Sequence, residues 1–306
     1  MDQAIHELLD SDIPLIPLLG NYVIDSGGKR LRPMVLLAGT RMFGYEGDRH
    51  TVLAAVIEFI HTATLMHDDV VDAAEQRRTR PTANALWGAQ APVLVGDFLF
   101  ARSFQAMVAD GDIRVLDILA TATRELAEGE VLQLQNTHDP EVDEANYLRV
   151  VTAKTATLFE AAARLAAVIN SRSGEEEEAM AAYGLNLGVA FQLIDDALDY
   201  SATAEAWGKQ LGNDLEEGKP TLPTIHALAH ADHQGRDAIR RALEEEGVAL
   251  LDPVRTAIES TGAIEYTVQA ARERVKAAKD ALAGLPETEE RRALESLADF
   301  VVTRDF

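Results

Sequence analysis

Two short stretches of this 306-residue sequence set carboxylates among residues that otherwise belong in helical cores: "LMHDDVVD" (65–72) and "FQLIDDALDY" (191–200). Asp68, Asp69 and Asp72 fall at i, i+1 and i+4 in the first, and Asp195, Asp196 and Asp199 repeat that spacing in the second. At about 100° per residue, the three carboxylates of each triplet point into one helical arc of roughly 100°. Like charges so crowded repel, raise one another's pKa and invite a cation. Acids make up 51 of the 306 residues, so a single match to this spacing is expected by chance, and a solvated face would explain it. Two all-aspartate copies flanked by residues such as Leu65, Met66, Leu193 and Ile194 are not so explained. Carboxylates giving each ion one or two ligands, with water and substrate phosphate completing the shell, suit Mg2+ better than an all-protein cage. Two facing triplets would clamp one diphosphate through shared metal ions.

A phosphate site also wants fixed cations, and the loops beside both triplets supply them. "GGKRLRP" offers Lys29, Arg30 and Arg32 at a glycine-hinged helix start, where backbone N–H groups add to anion binding. "RRTRP" places Arg77 and Arg78 just past the first triplet; Lys209 and Lys219 follow the second in "GKQLGNDLEEGKP". Lys154 and Thr155 form a mid-helix "KT". Any one of these alone would read as an exposed surface charge.

The elements that must position these groups are helical throughout. Val52, Val56, Phe59, Ala63 and Met66 recur at three- and four-residue steps across 48–75, as do Ile113, Leu116, Leu119, Leu126 and Leu134 across 112–137. No strand alternation stands out. "APVLVGDFLFARSFQAMVA" (91–109) is apolar on nearly all sides, which marks a helix covered on both faces, either central in a bundle or at a dimer contact. Breaks at 27–28, 77–81, 138–140, 173–174 and 201–220 leave about ten or more helices joined by short loops. "GEEEEA" (174–179) reads as a solvated helix start, its acids favoured by the positive end of the dipole. No linker or repeat divides the chain, so the expectation is one all-α domain over 1–306.

Composition prunes the alternatives. Twenty-eight Lys and Arg against 51 Asp and Glu give a net charge of −23, whose field repels nucleic acid and anionic lipid. An anionic substrate must therefore be held by local cations. So large an acid excess also suggests a high-salt cytosol, where short screening lengths suppress self-repulsion. Zero cysteines remove disulfides, thiolate nucleophiles and Cys-based metal sites. No run of eighteen apolar residues and no signal-peptide order occur, so a cytoplasmic protein without stable membrane insertion is expected.

Taken in order, "GGKRLRP", "HTATLMHDDVVD", "RRTRPTANALWG", "GEVLQLQN", "KTATLFEAA", "FQLIDDALDY" and "GKQLGNDLEEGKPTLP" resemble the motifs of trans-type polyprenyl diphosphate synthases, the bacterial long-chain members above all. The likeness runs from about residue 20 to 230. It implies the all-α isoprenoid synthase fold, a single bundle around a central cavity, a homodimer, and Mg2+ as cofactor. By that likeness Asp68, Asp69, Asp72, Asp195, Asp196 and Asp199 coordinate Mg2+ on the allylic diphosphate. Arg77, Lys154, Thr155, Gln192, Lys209 and Lys219 contact the allylic substrate or its metals, with Lys154 and Lys209 helping to stabilise the departing diphosphate. Lys29, Arg32, His61 and Arg78 bind isopentenyl diphosphate. His61 lies two helical turns before Asp68, on a similar side. Thr79 stands where the family usually has Gly, which stiffens the loop that carries Arg77 and Arg78.

The implied reaction is attack of the isopentenyl double bond on an allylic cation in a dry apolar pocket, from a primer such as farnesyl diphosphate, with released diphosphate taking the proton. Short-chain relatives carry bulky aromatics just upstream of the first triplet; here Ala63 and Thr64 are small, with Ile60 a turn deeper. An open shaft there implies a product of about eight units, with other lengths, geranylgeranyl to decaprenyl, as the alternative. Such long tails serve as quinone side chains. A class I terpene cyclase would need an aromatic-lined cavity, and this chain is 6% aromatic. A non-catalytic subunit of a two-chain synthase would lack one triplet, and both are complete.

Overall fold

In the computed structural model, residues 1–77, 80–201 and 211–303 are described, and they are helical apart from one minimal hairpin. Arg78, Thr79 and Lys209 lie outside the described residues. The helices are α1 (Asp2–Leu9), α2 (Leu15–Ile24), α3 (Leu31–Met42), α4 (Arg49–Val71), α5 (Ala83–Trp87), α6 (Gln90–Asp110), α7 (Ile113–Asn136), α8 (Glu144–Val151), α9 (Thr157–Ile169) and α10 (Gly174–Asp199). After them come α11 (Asn213–Glu216), α12 (Leu222–His230), α13 (His233–Arg241), α14 (Leu251–Ser260), α15 (Ala263–Leu282) and α16 (Glu289–Thr303). A π turn at Thr152–Ala156 joins α8 to α9. Two-residue strands β1 (Gln76–Arg77) and β2 (Arg80–Pro81) pair antiparallel, with Arg77 opposite Arg80. The breaks at 27–28 and 138–140 fall between helices and that at 173–174 falls at the start of α10, and among the described residues short pieces such as α5 and α11 bring the number of helices above ten.

The chain forms two compact units that interleave along the sequence. The first comprises Met1–Thr123, Ala161–Met180 and Pro286–Arg291; the second comprises Arg124–Glu160, Ala181–Leu285 and Arg292–Phe306. In the first, Leu9, Leu19, Phe59, Ala63, Met66, Val95 and Leu99 share one buried cluster, and α4 packs along α6. α4 can be enclosed over most of its length because its central residues, Leu53 to Ile60, are almost all apolar, with Glu58 the exception. It ends where Ala73 turns to φ 49°, a left-handed backbone that halts the helix. In the second unit Leu215, Ile239, Leu243, Val254 and Ile258 fill a cluster built by α11 to α15.

Three readings of the pattern need correction. Val52, Ile113 and Leu134 are exposed rather than in the core: Val52 and Ile113 stand in the first turns of their helices, and Ile113 and Leu134 lie about 160° and 100° around α7 from the stripe of Val115, Leu119, Ala122 and Leu126. α6 is covered on one face only: Val95, Leu99 and Met107 are buried, whereas Leu94 is 66% and Val108 67% exposed, with Phe104 beside them on the uncovered side. The "GEEEEA" segment is more than a solvated start. Ser173 and Glu176 form a reciprocal cap, with Ser173 N–H donating to Glu176 and Glu176 N–H to Ser173 Oγ at 3.3 Å. Glu177 is buried and paired with Arg114 at 2.5 Å and Arg164 at 3.2 Å.

Candidate active site

In the first unit the acidic triplet closes α4. Asp68 and Asp72 are half-buried, whereas Asp69, about 100° around the helix, is only 4% exposed. The loop after α4 folds back to meet it. Thr82 donates to the Ala74 carbonyl at 2.6 Å, and Asn84 donates to the Asp69 carbonyl at 3.0 Å. The β1–β2 hairpin then turns Arg77 so that its Nε donates to Asp69 Oδ1 at 2.8 Å. Burial pushes the Asp69 carboxyl above the usual carboxylate range, and the Arg77 guanidinium opposes the shift.

His61, Thr64, Asp68 and Asp72 share the half-buried face of α4, separated by near-multiples of a turn. Ile60 lies one turn before Thr64 on the same row, and Ala63 lies about 100° around the helix from Thr64. Both are essentially fully buried, Ala63 in the cluster with Phe59, Val95 and Leu99. Of the length-setting candidates Ile60, Ala63 and Thr64, Thr64 is the half-buried one. In the "GGKRLRP" loop Lys29 is exposed and Arg32 half-buried on the first turn of α3. Between them Arg30 adopts φ 49°, strained for a residue with a Cβ, and its guanidinium lies 3.4 Å from the buried Glu58 of α4.

In the second unit the acidic triplet closes α10 with the same burial pattern: Asp195 and Asp199 half-buried, Asp196 buried. Here the middle aspartate is held by neutral donors. Tyr147 Oη on α8 donates to Asp196 Oδ2, and Gln192 Nε2 donates to Oδ1 at 2.7 Å. Thr155 Oγ1 in turn donates to Gln192 Oε1 at 2.9 Å. Asp199 accepts the N–H groups of Asn213 at 3.2 Å and Asp214 at 3.0 Å, tying down the start of α11. Burial, with Asp195 and Asp199 nearby, pushes Asp196 up to about 7 against the pull of its two donors. Asp214 rises for the same reasons, burial first and then Asp199 and Asp196.

Lys154 and Thr155 sit not in a regular helix but in the π turn, whose widened backbone re-aims side chains. Two glycines admit it. A Cβ on Gly129 of α7 would stand 2.8 Å from Lys154 N, and one on Gly188 of α10 would stand 2.6 Å from Ala156 Cα. The ammonium of Lys154 meets Glu130 at 2.6 Å. With its amide oxygen facing the donors, Gln133 accepts from Lys154 at 3.2 Å and from Lys219 at 3.1 Å. Lys154, Thr155, Gln192, Asp196, Asp214 and Lys219 line one cavity of about 160 Å3. The sequence reading assigned no role to Glu130, Gln133, Tyr147 or Asp214. "GEVLQLQN" was visible as a motif, and Tyr147 stands two turns before Lys154, but neither spacing reveals a partner 49 residues away.

Both triplets therefore end helices, where the macrodipole adds negative potential to three carboxylates. That placement destabilises the protein by itself and favours a bound cation. The donors are all hard oxygens, right for Mg2+. Among the described residues no three His, Asp or Glu side chains form a ready-made metal cage, which leaves coordination positions for water and substrate oxygens.

The polyprenyl synthetase family profile matches residues 14–259. The chain is 50% identical to octaprenyl diphosphate synthase of Escherichia coli (strain K12), over 100% of this chain and 95% of that one. Among solved structures, a decaprenyl diphosphate synthase from Rhodobacter capsulatus superposes with a TM-score of 0.94 at 45% identity, covering 99% of this chain and 94% of its own. A polyprenyl synthase from Caulobacter crescentus, complexed with calcium and isoprenyl diphosphate, gives 0.94 at 46% identity, with 99% and 93% covered. With the family profile matched over residues 14–259 and sequence and fold in agreement over the whole length, the chain belongs to the polyprenyl synthetase family, whose members share the all-α isoprenoid synthase fold.

Proposed function

We propose that this prenyltransferase adds isopentenyl diphosphate repeatedly to an allylic diphosphate, farnesyl diphosphate among the primers, to give a product of about eight isoprene units for quinone side chains. The observation that carries the reading is the second unit's cavity, where Lys154 and Lys219 face Asp196 and Asp214. Two ammonium groups and two buried carboxylates on one cavity suit a metal-bound diphosphate, whose oxygens would meet the lysines and whose metal would meet the acidic helix end. The family match crosses both compact units, which supports one synthase domain over the whole chain.

Asp68, Asp72, Asp195 and Asp199 are the carboxylates exposed enough to hold Mg2+, with Asp69 and Asp196 behind them. When bound, Mg2+ supplies charge stabilisation to the departing diphosphate. Lys154 and Lys219 bind the same oxygens, and Thr155 and Gln192 fix the turn that aims them. Lys29, Arg32 and His61 hold isopentenyl diphosphate. Arg77 acts through Asp69, to which its Nε is bonded. Chain length is set on the face of α4 upstream of Asp68, where Thr64 is small. The uncovered apolar face of α6, with Leu94, Phe104 and Val108, supports a homodimer.

The test is incubation of the purified chain with farnesyl diphosphate, labelled isopentenyl diphosphate and Mg2+, followed by sizing of the product alcohols. Products near eight units, lost on chelation, are expected. A cyclised hydrocarbon, or no product from the single chain, would overturn the reading. Light scattering checks the dimer, which Leu94→Glu should weaken.

A further inference from the structure

We infer that Tyr147 is a positioning residue for metal binding by the second acidic triplet, acting through Asp196; the inference rests on the diphosphate–metal reading of that triplet. Tyr147 is 4% exposed and Asp196 3% exposed, and the phenol donates to one carboxylate oxygen while Gln192 occupies the other. Both Asp196 oxygens thus accept from inside the protein. Asp196 is the anchor of the triplet, with Asp195 and Asp199 on its half-buried side.

The hydrogen-bond polarity is consistent along the whole train. Thr155 donates to Gln192, Gln192 donates to Asp196, and Tyr147 donates to Asp196 from the other side, so every donor points at the carboxylate. The train joins the π turn that carries Lys154 to the helix end that carries Asp195. Neither Tyr147 nor Thr155 can shift without moving the other's partner. Asp195 and Asp199 are adjacent on the same helix end, and like charges there push the triplet apart unless it is pinned. A neutral donor pins Asp196 without cancelling the charge that draws in the metal; an Arg or Lys in place of Tyr147 would cancel it. Hydrogen bonds to charged acceptors are among the stronger ones, so losing one should be measurable.

The experiment is titration of the full-length protein with Mn2+ in the presence of inorganic diphosphate, read by electron paramagnetic resonance, for wild type, Tyr147→Phe, Gln192→Leu, Asp196→Asn and Tyr147→Phe/Asp196→Asn. Tyr147→Phe keeps the ring and removes only the hydroxyl. It should weaken Mn2+ binding roughly tenfold. Gln192→Leu should act in the same direction. For Tyr147→Phe the turnover rate should return to within about threefold of wild type at saturating Mn2+, and the KM for isopentenyl diphosphate should stay within about twofold. A merely structural defect would not be rescued by metal. On the Asp196→Asn background Tyr147→Phe should add less than about twofold. Unchanged Mn2+ affinity in Tyr147→Phe, or a loss that adds in full on Asp196→Asn, would overturn the inference. Asp195→Asn is the control: if it binds Mn2+ like wild type, the metal reading itself has failed.

Discussion

The two triplets share spacing, helix-end placement and burial pattern, and differ in what holds the middle carboxylate. Asp69 has a cation, Arg77; Asp196 has a phenol and an amide, with Asp195, Asp199 and Asp214 close by. The Arg77 guanidinium offsets part of the burial that raises the Asp69 carboxyl. At Asp196 the two hydrogen-bond donors are neutral, a phenol and an amide, whereas the donor at Asp69 is a guanidinium, so the middle carboxylate of the second triplet should depend more on a bound cation. Identical sequence spacing therefore conceals two electrostatic designs.

The strongest break of the comparison is removal of an outward carboxylate. Asp68→Asn and Asp195→Asn are each expected to lower kcat/KM by roughly 10²- to 10³-fold, the scale lost when one preorganised charge-stabilising group is deleted. Chelation should abolish turnover in the wild type. Metal titrations should show the larger rise in half-activating Mg2+ for Asp195→Asn, because Asp196 beside it is held by neutral donors where Asp69 is held by a guanidinium. Equal rises would remove the distinction drawn between the triplets.

Product size sharpens the contrast along the two helices. Four residues before Asp68 stands Thr64, half-buried; four before Asp195 stands Phe191, its ring 5.9 Å from Phe159. A growing chain should run along α4, where the side chain is small. Thr64→Phe is expected to shorten the dominant product by several units, whereas Phe191→Ala should leave its length within one. Ala63→Phe is a poorer probe, since overpacking the cluster around Phe59 and Leu99 costs about 1–3 kcal/mol of stability. Chromatography of the dephosphorylated products reads both effects.

Much of this was legible before any coordinates. Helical periodicity placed α4 and α7, because their apolar stripes recur at turn spacing, and glycine and proline marked the breaks. The triplets and basic loops were visible as patterns. The inward turn of Asp69 and Asp196 was also derivable, since i+1 lies about 100° from i and i+4 lies about 40°. What the sequence hid was set by tertiary contact. The π turn at Lys154 carries no glycine or proline of its own; Gly129 and Gly188, 25 and 34 residues distant along the chain, make room for it. The anchors Arg77 and Tyr147 are ordinary residues until a hairpin and a helix bring them to their aspartates. The bare face of α6 was legible only as a choice between the centre of a bundle and a dimer contact, because an apolar run predicts burial without saying by what.

Without metal, the second triplet should also show in the pH dependence of stability. Asp196 titrates near 7 in the folded chain and near 4 unfolded. Between those values the folded state holds a proton that the unfolded state has lost. Stability from this group is therefore complete below about pH 4 and is lost as pH rises through about 7, with a limiting slope of about 1.4 kcal/mol per pH unit. Denaturation in EDTA should show wild type weakening over that window, Asp196→Asn weakening less, and saturating Mg2+ restoring stability at the high end.

The smallest effect belongs to the first triplet. Arg77→Gln deprives the buried Asp69 of its countercharge, and Asp69, already raised by burial, should titrate higher still. Because the Arg77 side chain is 36% exposed, solvent already screens much of the pairing, so the expected loss at neutral pH is only about 1 kcal/mol. The loss should shrink as pH falls and Asp69 takes up its proton, and urea midpoints at two pH values will measure it. If Arg77→Gln instead destabilises as much at low pH as at neutral pH, the arginine holds the hairpin by packing, and the charge compensation that separates the two triplets is not its doing.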